Sequence, residues 1–405
     1  AAGGLLQEPM FAGAAARAEQ ARTYSPGSLR PETARALYGA ELHFSSSRID
    51  VLAGCHFAHF LQYGLRAQER EPAEFDSRFY GTFVHDVLEY IVQQTEREGG
   101  FAAVPRSRVQ ELAQERMEQN AQTLLETFPD SGRTGYLLRR TFDEVTQVVD
   151  ELYDELSVSA FRPKFCELEF SARGALPGVA FAGERCRGVV EGFVDRVDVW
   201  QSGGRPYVRV VDYKTGKKSF DYTNVLHGRG LQMLLYLFAL VRQGGHLLHG
   251  EPLPAGVLYF PARIERVSVR DRLAQAEIEK ERRKQLRRSG VLLNSDPVLE
   301  AMEPCGGSPR FLPYTLDKEG RKTGDLASFA QLAQLERFVF RTVAALGDEL
   351  ADGRIDPDPC IRDAKDSACA FCPYSEICAG HEQPRWLKKI TAEEFWQTLE
   401  RREHG

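Results

Sequence analysis

An acid and a lysine stand two residues apart in V-V-D-Y-K-T-G-K-K-S, residues 210–219. If this run is a strand, Asp212 and Lys214 point to the same face, because strand side chains alternate with a period of two. Upstream, E-G-F-V-D-R-V-D carries Asp195 on a second strand-like run that a hairpin would lay beside the first. Two carboxylates converging from adjacent strands suit a hard divalent cation, which takes oxygen ligands. Such a cation lowers the pKa of water and polarises a phosphodiester oxygen. A neighbouring ammonium offsets the charge that builds on phosphorus. The chemistry suggested is phosphodiester hydrolysis, although Asp-x-Lys taken alone is also the spacing of an ordinary surface pair. The Gly-Lys pair in T-G-K-K-S raises a rival, a nucleotide-binding P-loop. That loop needs a glycine five residues before its Gly-Lys pair and Ser or Thr directly after it. Here the first position is Val211 and the second is Lys218, so the rival fails.

A second constellation lies near the end of the chain. C-A-F-C-P-Y-S-E-I-C places Cys369, Cys372 and Cys378 within ten residues. Clustering of this kind in an intracellular protein points to metal ligation rather than disulfides. Three thiolates can cap one face of a metal centre, and a four-ligand site needs one more, for which Cys55 is the candidate. Zinc and an iron-sulfur cluster both accept four cysteines, and spacing does not choose between them. Cys360, nine residues before Cys369, competes as a ligand. Cys166, Cys186 and Cys305 are scattered and read as packed thiols.

These residues need elements to position them. The chain has 405 residues, 42% apolar, with a net charge of −6. That charge does not advertise nucleic-acid binding, nor does it exclude it, because a metal site collects carboxylates and basic stretches act locally. The longest apolar run, Leu234 to Val241, is too short to span a bilayer. With no signal peptide, a soluble, cytoplasmic protein is expected, and the start A-A-G-G-L-L reads as a cut within a larger one. Residues 1–40 are expected to be a linker or the tail of a preceding domain, and 41–160 a helical part. Within it, a helix starts at Ser45, capped by serine, and another runs from about Phe79 to Thr95, carrying His85. Residues 161–265 form the core, with strands at 165–170, 189–200, 207–213 and 256–260, a hairpin loop at 201–206, and a helix from about Arg229 to Gln243. Residues 266–350 are an insert with a hairpin at 314–325 and a helix over about 327–350. The charge-dense stretch 269–288 is either a solvated face or a DNA-contacting one. Residues 351–405 are an irregular, cysteine-bearing tail.

In chain order the motifs are G-x-x-x-H ending at His85, G-x-x-D ending at Asp195, D-x-K at Asp212 and Lys214, and Q-x-x-x-Y at Gln232 and Tyr236. This set resembles the RecB-type nuclease domain of the PD-(D/E)xK superfamily. With the cysteine pattern, R-S-G-V-L-L-N-S-D-P-V-L-E-A-M (288–302) and D-G-R-I-D-P-D-P-C (352–360), residues 35–380 are similar to the AddB family, the nuclease-bearing second subunits of bacterial AddAB helicase-nucleases. The resemblance implies an α/β fold, a restriction-endonuclease-like mixed-sheet core flanked by helices. It implies Mg²⁺ on His85, Asp195, Asp212 and the backbone carbonyl of Tyr213, with Lys214 placing the attacking water. Gln232 and Tyr236 would support the site and touch the DNA. Glu169 and Asp198 are read as outer supports, Glu169 equally as a solvated strand residue. Cys55, Cys369, Cys372 and Cys378 would hold a 4Fe-4S cluster that staples the two ends of the domain. The substrate implied is single-stranded DNA, fed by an AddA-like helicase partner during double-strand-break repair, with no membrane involved. Two rivals stay open: a stand-alone RecB-like exonuclease, and a non-catalytic iron-sulfur scaffold that binds DNA. The intact Asp195, Asp212 and Lys214 argue against the second.

Overall fold

The computed structural model describes residues 13–14, 16–17, 27–68, 77–127, 132–216, 219–264, 275–378 and 384–404. Helix α1 (Pro31–Tyr38) leads into strand β1 (Leu42–Ser45) and helix α2 (Ser46–Gly54). The Ser45 hydroxyl accepts from Arg48 N–H, so the serine cap expected for α2 is present. The helix does not run on as one piece. Cys55 is extended (φ −168°) and breaks it, and a short turn and a π-helical turn (Phe60–Gly64) follow.

Three long helices come next: α3 (Ser77–Arg97), α4 (Arg106–Thr127) and α5 (Gly132–Val158). Val84, Val87, Leu88 and Ile91 recur at helical spacing on α3 and are fully buried, as one apolar stripe should be. α4 packs against both α3 and α5, and α3 lies against the sheet.

The strands that follow are β2 (Arg162–Phe170), β3 (Val179–Ala182), β4 (Arg187–Ser202), β5 (Arg205–Lys214), β6 (Leu253–Pro261), β7 (Ser289–Leu293), β8 (Tyr314–Leu316), β9 (Lys322–Gly324) and β10 (Leu326–Ala327). Eight of them, β1 included, make one sheet in the order β1-β4-β5-β6-β7-β10, with β2 and β3 also pairing with β4. β8 and β9 form the separate hairpin. β4 is the hub. Its beginning pairs with β1 and β3, its length with β2, and its end with β5. The β4–β5 connection is tighter than the loop expected at 201–206. Only Gly203 and Gly204 turn, at φ 57° and 74°, a left-handed pair suited to a two-residue hairpin. β5 and β6 are parallel, so they need a crossover, and it includes helix α6 (Gln232–Gln243). Met233 to Leu240 of α6 are all buried, because sheet and helix enclose it. Helix α7 (Gln275–Leu286) and helix α8 (Asp296–Met302) precede the outer helix α9 (Phe329–Ala351), which packs on α6.

The tail is less irregular than expected. Strands β11 (Cys360–Ile361) and β12 (Arg385–Trp386) pair in parallel, and a closing helix, α10 (Ala392–His404), buries Phe395, Trp396 and Leu399. Among the described residues, no helix is long and apolar enough to cross a membrane.

Where β4, β5 and α5 meet, the core is ionic. Arg196, Arg209, Arg288, Asp198 and Glu155 are all essentially without solvent exposure. Arg196 Nε and Arg209 Nε donate to the Asp198 carboxylate at 2.9 and 2.8 Å. Arg209 and Arg288 donate to the two oxygens of Glu155 at 3.0 and 2.8 Å. Buried charges persist only when paired in this way.

Candidate functional site

The β4–β5 ladder brings the carboxylates together. Arg196 pairs with Val211, so the next rung sets Asp195 beside Asp212. Asp195 Oδ2 accepts from Tyr213 N–H at 2.7 Å. His85 arrives from α3. Its Nε2 lies 2.8 Å from the Tyr213 carbonyl oxygen, and its Nδ1 3.5 Å from Asp195 Oδ2. Lys214 Nζ lies 2.5 Å from Asp212 Oδ2, as expected for neighbours on one strand face.

One residue was missed. A Glu167 oxygen lies within 4.8 Å of donor atoms on both His85 and Asp195. Glu167 is on β2, opposite the site strand, and its φ is +48°, a left-handed conformation rare for a non-glycine residue. Strand alternation in F-C-E-L-E-F puts Glu167 and Glu169 on equal terms, and no sequence signal marks the backbone twist. Glu169 instead accepts from Ser171 Oγ at 2.6 Å. Asp198 is not at the site either, since it belongs to the buried arginine network.

The electrostatics ask for a cation. Burial first, and the Asp212 carboxylate second, push the Asp195 pKa up to about 8. Positive charge entering beside Asp195 would offset that burial and the neighbouring carboxylate. Burial lowers the His85 pKa, which keeps its imidazole neutral and fit to ligate. Imidazole nitrogen, carboxylate oxygens and a backbone carbonyl are a donor set that suits a hard divalent ion.

The supporting residues explain why the motifs need their residue types. The Tyr213 hydroxyl accepts from Arg196 Nη1 at 2.9 Å, so the residue whose backbone touches both Asp195 and His85 is anchored to the ionic core. Tyr236 stacks on Phe170, with ring centroids 5.1 Å apart, and its hydroxyl bonds Ser46 and Gln232. A side chain at Gly192, where φ is 155°, would put its Cβ 2.0 Å from the Tyr236 hydroxyl. The glycine of G-x-x-D and the tyrosine of Q-x-x-x-Y are thus two halves of one contact. Tyr236 is 2% exposed, so it supports the strand from within the core, and the expected contact of this side chain with DNA is not available to it.

The cysteines gather in a second place. Cys55, Cys369, Cys372 and Cys378 line one small cavity with Phe57, Pro359 and Tyr374, and among the described residues no carboxylate or imidazole joins them. A set of thiols alone suits a soft metal centre. Burial pushes the Cys55 thiol up to about 11, so it becomes a thiolate only with a cation to hold it there. Cys360 lies outside this ring, with its thiol donating to Ala53 O at 3.3 Å. Cys166, Cys186 and Cys305 are also elsewhere, Cys186 against Ala344 O and Cys305 against Gly307 O. Charged contacts hold the segments around the ring. His56 is fully buried between Asp358 (2.9 Å) and Glu349 (2.8 Å), and Arg385 reaches Ala53 O at 2.8 Å. Of the T-G-K-K-S stretch, Lys217 and Lys218 lie outside the described residues.

Comparison with known proteins bears on both places. The sequence profile of the PD-(D/E)XK nuclease superfamily matches residues 43–379. The chain is similar to a protein of Moorella thermoacetica named as a subunit of an ATP-dependent helicase/deoxyribonuclease, 34% identical over 357 residues, which is 87% of this chain and 31% of that protein. Proteins of the same name from Caldanaerobacter subterraneus (31% identical over 366 residues, 86% of this chain and 30% of that protein) and Thermoanaerobacter sp. (29% over 379 residues, 90% and 33%) align comparably. The chain therefore spans about a third of the length of the curated relatives it matches.

Proposed function

The chain belongs to the PD-(D/E)XK nuclease superfamily, and on that premise we propose that it is a metal-dependent deoxyribonuclease module that shortens single-stranded DNA from an end. The observation that carries the reading is the convergence of His85, Asp195 and the Tyr213 carbonyl beside the Asp212–Lys214 pair. His85, Asp195, Asp212 and the Tyr213 carbonyl would hold Mg²⁺, which supplies Lewis acidity at the phosphoryl oxygen and a more acidic water. Glu167 stands ready as a further carboxylate. Lys214 keeps its ammonium against Asp212, where it orients the attacking water and offsets charge developing on the phosphate. Tyr213, held at both ends, and Tyr236, held under Gly192, fix these groups before the substrate arrives.

The cysteine ring would carry a 4Fe-4S cluster joining the early and late segments. The relatives' name couples a helicase to a deoxyribonuclease. That supports a role inside a cytoplasmic helicase-nuclease for double-strand-break repair, with an AddA-like motor protein delivering the strand. The test is cleavage of linear and circular single-stranded DNA with Mg²⁺, with EDTA, and by Asp212→Ala. Cleavage of the linear form only, by the unmutated chain with Mg²⁺ only, supports the reading. Cleavage that survives EDTA or Asp212→Ala contradicts it. DNA binding without any cleavage turns the reading toward the scaffold.

A further inference from the structure

A cavity of about 220 Å³ adjoins Lys214. Its charged lining is Lys214, Arg263 and Arg287, and among the described residues no carboxylate lines it. Thr215, Ser219 and Ser289 add hydroxyl groups. The two arginines are held in place by neutral groups. Arg287 donates from Nε to Leu312 O at 3.1 Å and from Nη2 to Tyr314 O. Arg263 lies over the Tyr80 ring, 4.9 Å from its centroid. Asp325 feels the Arg287 charge, and Glu144 lies near Tyr80, but neither carboxylate lines the cavity.

The neighbouring cavity makes the contrast. At about 300 Å³ it shares Ser219 and Tyr259 with the first, yet its arginines are answered by acids. Arg362 pairs with Asp221 at 2.8 Å and Asp366 at 3.1 Å, and Arg229 lies 3.8 Å from Asp366. The cavity at Lys214 has two guanidiniums with no carboxylate in its lining among the described residues, and only Asp325, outside that lining, acts on Arg287 from a distance, beside a site otherwise crowded with carboxylates. An acid-rich metal site offers a polyanion little affinity of its own, so the attraction must come from next to it. Guanidinium forks match phosphate oxygens.

We propose that this cavity is a phosphate subsite, taking the backbone phosphodiester adjacent to the one at the Asp195–Asp212 site. The proposal rests on the nuclease reading for its substrate. It also divides the charge-dense stretch that ends at Arg288. Arg287 serves the cavity, and Arg288 serves the ionic core through Glu155.

Arg263→Glu is the discriminating variant, because Arg263 is exposed and rests on an aromatic ring rather than on an acid. Binding of an end-labelled oligothymidylate is followed by fluorescence anisotropy across a salt series, with Ca²⁺ replacing Mg²⁺. Arg263→Glu is expected to weaken binding on the order of ten-fold and to lower the salt slope by about one unit. Arg263→Lys should recover most of the loss, and Arg401→Glu on α10 should change nothing. In Mg²⁺ the KM should rise while kcat stays within about two-fold. Unchanged binding and salt slope in Arg263→Glu overturn the subsite, as does a failure of the unmutated chain to bind. If the unmutated chain cuts DNA and Arg263→Glu matches it, the subsite fails and the nuclease reading stands. If nothing cuts but Arg263→Glu loses binding, the subsite stands and the nuclease reading fails.

Discussion

Asp195 and Asp212 are brought together by a ladder of backbone hydrogen bonds across a two-residue turn, whereas Cys55 and Cys369 meet from opposite ends of the chain through loops. The first pair inherits its geometry from register, which a buried face specifies strongly. The second depends on ion pairs such as His56 with Asp358 and Glu349, and on whatever the thiols bind. The difference teaches that strand register sets the geometry of the sheet site, while the proposed cluster would be what ties the cysteine segments together. Losing one should leave the other standing.

The largest effect should come from the proposed staple. If the ring holds the proposed cluster, Cys372→Ala is expected to strip iron and to free a closure spanning most of the chain, worth about 6 kcal/mol by the chain-entropy relation for long loops. Limited proteolysis should then cut between Ala351 and Ala392 while the sheet resists. Equal resistance in the two proteins would break the comparison from the tail side. Next in size is the ionic core that anchors Tyr213. Glu155→Gln leaves Arg288 without its carboxylate and Arg209 with Asp198 alone, and should destabilise the sheet by about 3–5 kcal/mol in denaturant unfolding. A smaller loss would mean the arginines find other partners.

The same residue predicts a pH response. Burial alone would raise the Glu155 pKa, but Arg288, Arg209 and Arg196 together hold it down at about 2, against an ordinary 4.5. A depressed carboxylate contributes stability that is full above about pH 4.5 and lost as the pH falls toward 2, about 3 kcal/mol in all. Thermal melts across that window should show an acid limb that Glu155→Gln flattens. An identical limb in both proteins would assign the acid sensitivity elsewhere. The smallest effect is at Gly192. Gly192→Ala should cost about 1–3 kcal/mol by driving a methyl group into the Tyr236 hydroxyl. Adding Tyr236→Phe should return part of it, and no recovery would mean that backbone strain at φ 155° dominates.

What the sequence made legible follows the same division. Strands β4 and β5 and helix α6 announced themselves by alternation and by an apolar run, so Asp195, Asp212 and Lys214 could be set on facing strands. β1, β3, β7 and β10 are two to five residues long, too short for a periodic signal. Glu167 escaped because its left-handed φ is a property of the folded backbone. Asp198 reads from sequence as a support of the site, because its partner Arg209 lies on the next strand and only the register sets the two opposite each other. The cysteine spacing was legible, but not that Cys360 turns away to Ala53. Helix α10 gives little sequence signal, because its stripe of Phe395, Trp396 and Leu399 is narrow among charges.

The most direct test of the central claim is single-turnover cleavage of end-labelled single-stranded DNA by Lys214→Ala, with Mg²⁺ binding measured on the same protein. The account predicts that Mg²⁺ still binds, because Lys214 is no ligand, and that the cleavage rate falls by at least about a hundred-fold. Cleavage within a few-fold of the unmutated chain would contradict the assignment of this strand as the catalytic one.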